Sequence, residues 1–63
     1  MAHLTRSRAQ LEQTAHSFLR QAYAIGWNTD ELAIDYATEQ MGEEYRQLIG
    51  RVHAREFNTY TPN

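Results

Sequence analysis

The chain has 63 residues, no cysteine, three glycines and one proline, and its formal net charge is −2 at pH 7. This length allows one domain, and the lack of cysteine excludes a disulfide framework and a thiolate metal site. The polar N-terminus and the short apolar runs predict neither a signal peptide nor a membrane span, so we expect a cytoplasmic protein. High helix propensity and the absence of hairpin-turn dipeptides predict an all-α fold.

The first predicted helix spans about residues 5–25 and carries an apolar seam. Thr5 or Ser7 is the expected N-cap residue, and Gly26, directly after the last periodic position, is where we expect the chain to turn. Steps of four and three residues place the seam on one face of the helix. Its residues are Leu11, Ala15, Phe18, Ala22 and Ile25.

A second helix is predicted over about residues 29–55, with Asn28 or Thr29 as its N-cap residue. Its apolar seam stays in phase across Gly42 and Gly50, so we expect one long helix, with any bend at Gly42, rather than two shorter ones. The seam residues are Ile34, Ala37, Met41, Tyr45, Leu48 and Val52. The single domain then covers residues 1–57, and residues 58–63 are predicted to fray.

The two predicted helices are separated by a short turn and therefore form an antiparallel hairpin. A hairpin of this size buries too little apolar surface to be stable by itself. We therefore expect it to assemble with itself into a homo-oligomeric helical bundle, most simply a dimer, in which the two seams form the core and the contact surface.

Charge is segregated along the second predicted helix. Six of the eight acidic residues fall in one block without an intervening base, namely Asp30, Glu31, Asp35, Glu39, Glu43 and Glu44. The arginines Arg46, Arg51 and Arg55 follow. One interpretation is that acids at the start and arginines at the end complement the helix dipole. The other is that two such helices lie antiparallel in a dimer, acidic half against basic half.

Four residues are candidates for binding a partner protein. Trp27 lies at the predicted hairpin tip, where an exposed aromatic side chain is suited to anchor a partner. The acids Asp35, Glu39 and Glu43 form a ridge that would suit a basic partner. The sequence leaves both alternatives open.

The sequence gives no sign of catalysis, of a metal site or of a cofactor. The histidines His3, His16 and His53 lie far apart, and no nucleophile triad or phosphate loop is present, so we do not expect an enzyme. A helix-turn-helix over about residues 21–36 would be the DNA-binding alternative. Its second helix opens with Asp30 and Glu31, which phosphate groups would repel, so nucleic acid is not the expected partner.

The stretch SRAQLEQTAHSFLRQAYAIGWNTDEL, together with the chain length and the lack of cysteine, resembles the small helical proteins encoded in the exo–xis region of lambdoid bacteriophages. The resemblance implies a non-enzymatic accessory protein of phage development, made in the bacterial cytoplasm. It implies action on an unidentified host or phage protein through protein contacts, and it assigns no functional residues. The alternative function is a small helix-turn-helix DNA-binding regulator.

Overall fold

The structure, a computed structural model, describes residues 7–57 as a succession of helices. In chain order these are α1 (Arg8–Ala24), α2 (Asp30–Met41), a 3₁₀ helix (Glu43–Tyr45) and α3 (Arg46–Glu56). Residues 7–57 contain no strand, and the predicted all-α class is confirmed. The alternative cap Thr5, the histidine His3 and the tail predicted over residues 58–63 lie outside the described residues.

Side chains cap the first two helices as the sequence predicts. The Ser7 hydroxyl accepts a hydrogen bond from the Gln10 backbone N–H at 3.2 Å, and the Gln10 side chain accepts one from the Ser7 N–H at 3.3 Å. This reciprocal pair is a capping box. At the start of α2 the Thr29 hydroxyl accepts from the Leu32 N–H at 3.1 Å. Both helices therefore start where local chemistry satisfies their free N–H groups.

Gly26 ends the first helix in the left-handed region of backbone space, with a φ of +109°. The N–H of Trp27 donates to the carbonyl of Ala22 at 2.9 Å, and the N–H of Gly26 donates to that of Tyr23 at 3.3 Å. These two bonds form a Schellman motif, which favours glycine at the left-handed position. The predicted stop at Gly26 is confirmed.

The prediction of one long second helix is wrong, because Gly42 interrupts it. With a φ of +121° and a ψ of 147°, Gly42 leaves the helical conformation and ends α2. Its N–H donates to the Thr38 carbonyl at 2.7 Å, and its own carbonyl accepts from the Tyr45 N–H at 3.0 Å. The chain then restarts as α3, which packs against both α1 and α2. Residues 7–57 thus form three packed α-helices instead of a two-helix hairpin.

The core lies where the three helices meet. Its apolar residues are Ala15, Leu19, Ala22, Ala33, Ala37, Ile49, Val52 and Phe57. Leu19, Ile49 and Val52 are the largest side chains that solvent does not reach. Burial of such side chains supplies most of the stabilisation available to a domain this small.

The predicted seam residues are divided between this core and its edge. Ala15, Ala22, Ala37 and Val52 are buried. Half-buried positions are held by Leu11, Phe18, Ile34, Met41, Tyr45 and Leu48. Ile25 is 57% exposed and lies outside the core of the single chain, because α1 has ended before it. Leu19 lies outside the predicted seam and is nevertheless fully buried.

Candidate functional site

A groove beside the α1–α2 turn is the candidate binding site, and we call it the Trp27 groove. It has a volume of about 140 Å³ and is lined by Trp27, Leu32, Asp35, Tyr36 and Glu39. Trp27 is 44% exposed and Leu32 is 41% exposed, although both side chains are large and apolar. Exposed apolar side chains that gather at one place mark a binding surface more often than scattered ones do.

Helical spacing explains why these residues share a surface. Leu32, Asp35, Tyr36 and Glu39 stand at positions i, i+3, i+4 and i+7 of α2, which lie on one face of a helix. Trp27 precedes α2, and its backbone is held at the end of α1 by the bond to Ala22. The groove therefore follows from the Gly26 turn together with one face of α2.

Tyr36 forms a fixed wall of the Trp27 groove. Its hydroxyl donates to Gln21 Oε1 at 2.5 Å, and its ring meets the Phe18 ring edge-on with centroids 6.5 Å apart. Gln21 and Phe18 both belong to α1, so the ring is held by a neighbouring helix as well as by its own. A wall that is already ordered reduces the entropy lost when a ligand binds.

Acidic side chains form the rim of the groove. Asp35 Oδ1 accepts a hydrogen bond from Arg46 Nη1 at 2.8 Å. Glu39 is exposed and makes no ion pair with any residue between 7 and 57. The rim therefore keeps negative charge that is available to a ligand.

A second, polar depression adjoins the groove across Asp35 and Glu39, and we call it the Arg46 cleft. Its volume is about 460 Å³, and its further lining residues are Thr38, Gly42, Glu43 and Arg46. The Arg46 guanidinium contacts both carboxylate oxygens of Glu43, at 2.6 Å from Nε and 3.2 Å from Nη2. This contact lowers the pKa of Glu43 and raises that of Arg46.

The structure brings together three of the four predicted partner-binding residues. Trp27, Asp35 and Glu39 line the same groove, so the aromatic anchor and part of the acidic ridge form one surface. Glu43 lies in the adjoining Arg46 cleft with its carboxylate bound by Arg46. Leu32 and Tyr36 also line the groove, although the sequence did not single them out for binding.

A depression between α1 and α3 is occupied by ion pairs. It has a volume of about 540 Å³, and Glu12, His16, Arg55 and Glu56 are among its lining residues. Arg55 Nη2 donates to Glu12 at 3.1 Å and to Glu56 at 2.8 Å, and His16 Nδ1 lies 2.5 Å from Glu56. Arg55 is the main cause of the lowered pKa of Glu12 and of Glu56. These charges compensate one another and join the two helices.

His53 is buried, which the sequence did not predict. It is 4% exposed, and its ring stacks on Phe57 with centroids 5.7 Å apart. Burial lowers the pKa of His53, an effect that the charge of Asp30 partly opposes. His53 stands four residues after the apolar Ile49, and this helical spacing is the sequence signal that could have revealed its burial. The part of the chain that the structure describes holds no group of three potential metal ligands.

Comparison with known proteins does not assign the chain to a family. Neither a family model, nor a curated protein, nor a solved structure matches the chain. Between residues 7 and 57, no helix combines the length and the apolar character needed to cross a bilayer.

Proposed function

We propose that this chain is a non-enzymatic regulatory protein that binds a partner protein in the Trp27 groove. The observation that carries the proposal is the exposure of Trp27 and Leu32 in one groove with an acidic rim. Covering apolar surface gains about 25 cal/mol for each Å² removed from water. Tryptophan and tyrosine are enriched among residues that dominate the energy of protein interfaces.

The chemistry of the groove favours a basic amphipathic segment as the occupant. Leu32 and the rings of Trp27 and Tyr36 suit an apolar side chain, and the rim acids Asp35 and Glu39 suit arginine or lysine beside it. The sequence of α2 contains no basic residue, so no positive charge on this helix would repel such a segment.

A different protein fits this role better than a second copy of the chain. Arg46 and Arg55, two of the arginines on α3, already pair with the carboxylates of Asp35 and Glu12 in the same chain. A second copy would have to break these pairs to present Arg46 and Arg55, and of the α3 arginines only Arg51 is without an ion pair within residues 7–57. Self-association into a homodimer stays a separate prediction, and a melting temperature that rises with protein concentration is its test.

The resemblance of the first half of the chain to proteins of the exo–xis region supports a role for this binding activity in bacteriophage development. It implies an accessory role in phage development, with a host or phage protein of the bacterial cytoplasm as the partner. No observation favours the DNA-binding alternative. Asp30 and Glu31 are exposed at the start of the helix that would meet the phosphates, and like charges repel there.

The single tryptophan of the chain makes the proposal directly testable. We would titrate the protein with a synthetic helical peptide that has leucines along one face and arginines beside them, and record tryptophan emission. Binding in the groove buries Trp27, so we expect a blue shift that saturates. The matched control is the same peptide with glutamate in place of arginine, for which we expect no saturable shift. Equal shifts with both peptides, or none with the arginine peptide, would contradict the proposal.

A further inference from the structure

Arg46 lies across the acidic side of α2 in a contact that is open to solvent. Its guanidinium bonds Asp35 at 2.8 Å and Glu43 at 2.6 Å, and the three side chains are 44%, 59% and 76% exposed, respectively. Ion pairs with this much exposure are weak, because water and salt screen them. A ligand that binds Asp35 more tightly than Arg46 does can therefore displace Arg46.

Asp35 connects this contact to the Trp27 groove. It lines both the groove and the Arg46 cleft, and in the free protein Arg46 occupies it. Thr38 lines the same cleft, and its buried hydroxyl finds no hydrogen-bond partner in the described segment. The cleft therefore contains the Thr38 hydroxyl, which has no hydrogen-bond partner within residues 7–57, and the Asp35 carboxylate, which is bound by Arg46 of the same chain.

We infer that Arg46 is an internal competitor of the partner. In the free protein Arg46 binds the Asp35 carboxylate, and an arginine or lysine of the partner binds the same carboxylate in the complex. The inference rests on the proposed function of the Trp27 groove. When the partner binds, its basic side chain replaces Arg46 at Asp35, while the two contacts to Glu43 hold Arg46 in the cleft. A ligand that offers charge alone competes poorly, since it gains nothing from Trp27 and Leu32. The Arg46 contact therefore selects ligands that combine an apolar anchor with a basic group.

The test compares Arg46→Gln with Arg51→Gln, using the arginine peptide as the probe. Both variants remove one positive charge from α3, but Arg51 is exposed and has no ion pair within residues 7–57, so it controls for net charge. At low salt we expect Arg46→Gln to bind the peptide about two- to fivefold more tightly than Arg51→Gln does, the range of an exposed ion pair. Equal affinities of the two variants, or weaker binding by Arg46→Gln, would overturn the inference.

The same comparison of the two arginine variants in proteins that also carry Asp35→Asn tests whether Asp35 causes the difference in affinity. In Asp35→Asn proteins the carboxylate for which Arg46 and the peptide compete is gone, so the difference between the two arginine variants should shrink. A difference that persists unchanged overturns the inference, and circular dichroism verifies that all variants keep the helicity of the parent protein. If the parent protein fails to bind the arginine peptide at all, the proposed function itself fails. If it binds and the two variants are equal, this inference alone fails.

Discussion

The Tyr23 hydroxyl and Nε2 of His53 share a hydrogen bond of 2.6 Å that joins α1 to α3. The two rings are stacked with centroids 6.0 Å apart, and each also stacks on Phe57. A protonated imidazole would have to be accommodated among these rings, where little water reaches it. The contact therefore links the packing of α3 to the protonation state of His53.

We expect acid to destabilise the fold through His53. Burial lowers the pKa of His53 below the ordinary value of 6.5, so the unfolded chain takes up the proton more readily. The contribution of a neutral His53 is fully present above that pH and is lost as the pH falls toward the folded-state pKa. The melting temperature should therefore fall as the pH drops below about 6.5, before the carboxylates titrate.

The control for this prediction is His53→Gln, whose amide retains a polar group near Tyr23 and does not titrate. His16 is present in both proteins, so the difference between their melting curves isolates His53. We expect a flatter dependence of melting temperature on pH in the variant. Parallel curves for the two proteins would show that His53 does not carry the effect.

Leu19→Ala should unfold most of the protein. Leu19 is fully buried, and removal of a buried leucine side chain costs about 2–5 kcal/mol, which approaches the whole stability of so small a domain. Leu11→Ala makes the same chemical change at a half-buried position and should cost less. Urea unfolding followed by circular dichroism measures both, and equal midpoints for the two variants would contradict the core described above.

The two glycines of the second half of the chain should respond oppositely to alanine. Gly42 has a φ of +121°, so Gly42→Ala strains the backbone and should destabilise the fold by roughly 1–3 kcal/mol. Gly50 lies within α3, and an added Cβ would meet nothing within 4 Å. Gly50→Ala should therefore stabilise the protein by about 0.5–1 kcal/mol. Thermal unfolding of the two variants measures both effects. Equal shifts of the melting temperature in the same direction would refute the break at Gly42.

These glycines also show where prediction from the sequence reaches its limit. Ser7, Gly26 and Thr29 set their helix boundaries through contacts within a few residues, so the sequence alone predicted the stop at Gly26 and included Ser7 and Thr29 among two candidate caps for each helix. Gly42 and Gly50 both fall within a seam that stays in phase, yet only Gly42 leaves the helix. Because α3 packs against both α1 and α2, distant parts of the chain contribute to that difference, and local spacing does not reveal it.

The candidate site was predictable to a similar extent. The sequence identified Trp27, Asp35 and Glu39 as two alternative surfaces, and the structure places all three in one groove. Tyr36 was missed as a groove residue, because its position depends on Gln21 of the neighbouring helix. Side-chain contacts between residues this far apart in sequence leave no periodic signal.

Leu32→Ala should weaken binding of the arginine peptide without weakening the fold. Leu32 lines the Trp27 groove and is already 41% exposed, so its loss should change stability by less than about 0.5 kcal/mol. Loss of an apolar anchor that contributes about 1 kcal/mol to an interface raises the dissociation constant about fivefold, and we expect a change of this size. Ile25→Ala is the matched control, because Ile25 is exposed but does not line the groove. Equal losses in the two variants would remove Leu32 from the site.

The most direct test of the Trp27 groove as a binding site is an NMR titration of isotope-labelled protein with the arginine peptide. We expect the largest chemical-shift changes at Trp27, Leu32 and Tyr36, with a smaller change at Arg46 as its contact to Asp35 is exchanged. Shifts centred instead on the depression that Glu12 and Arg55 line, or the absence of any saturable shift, would contradict the account.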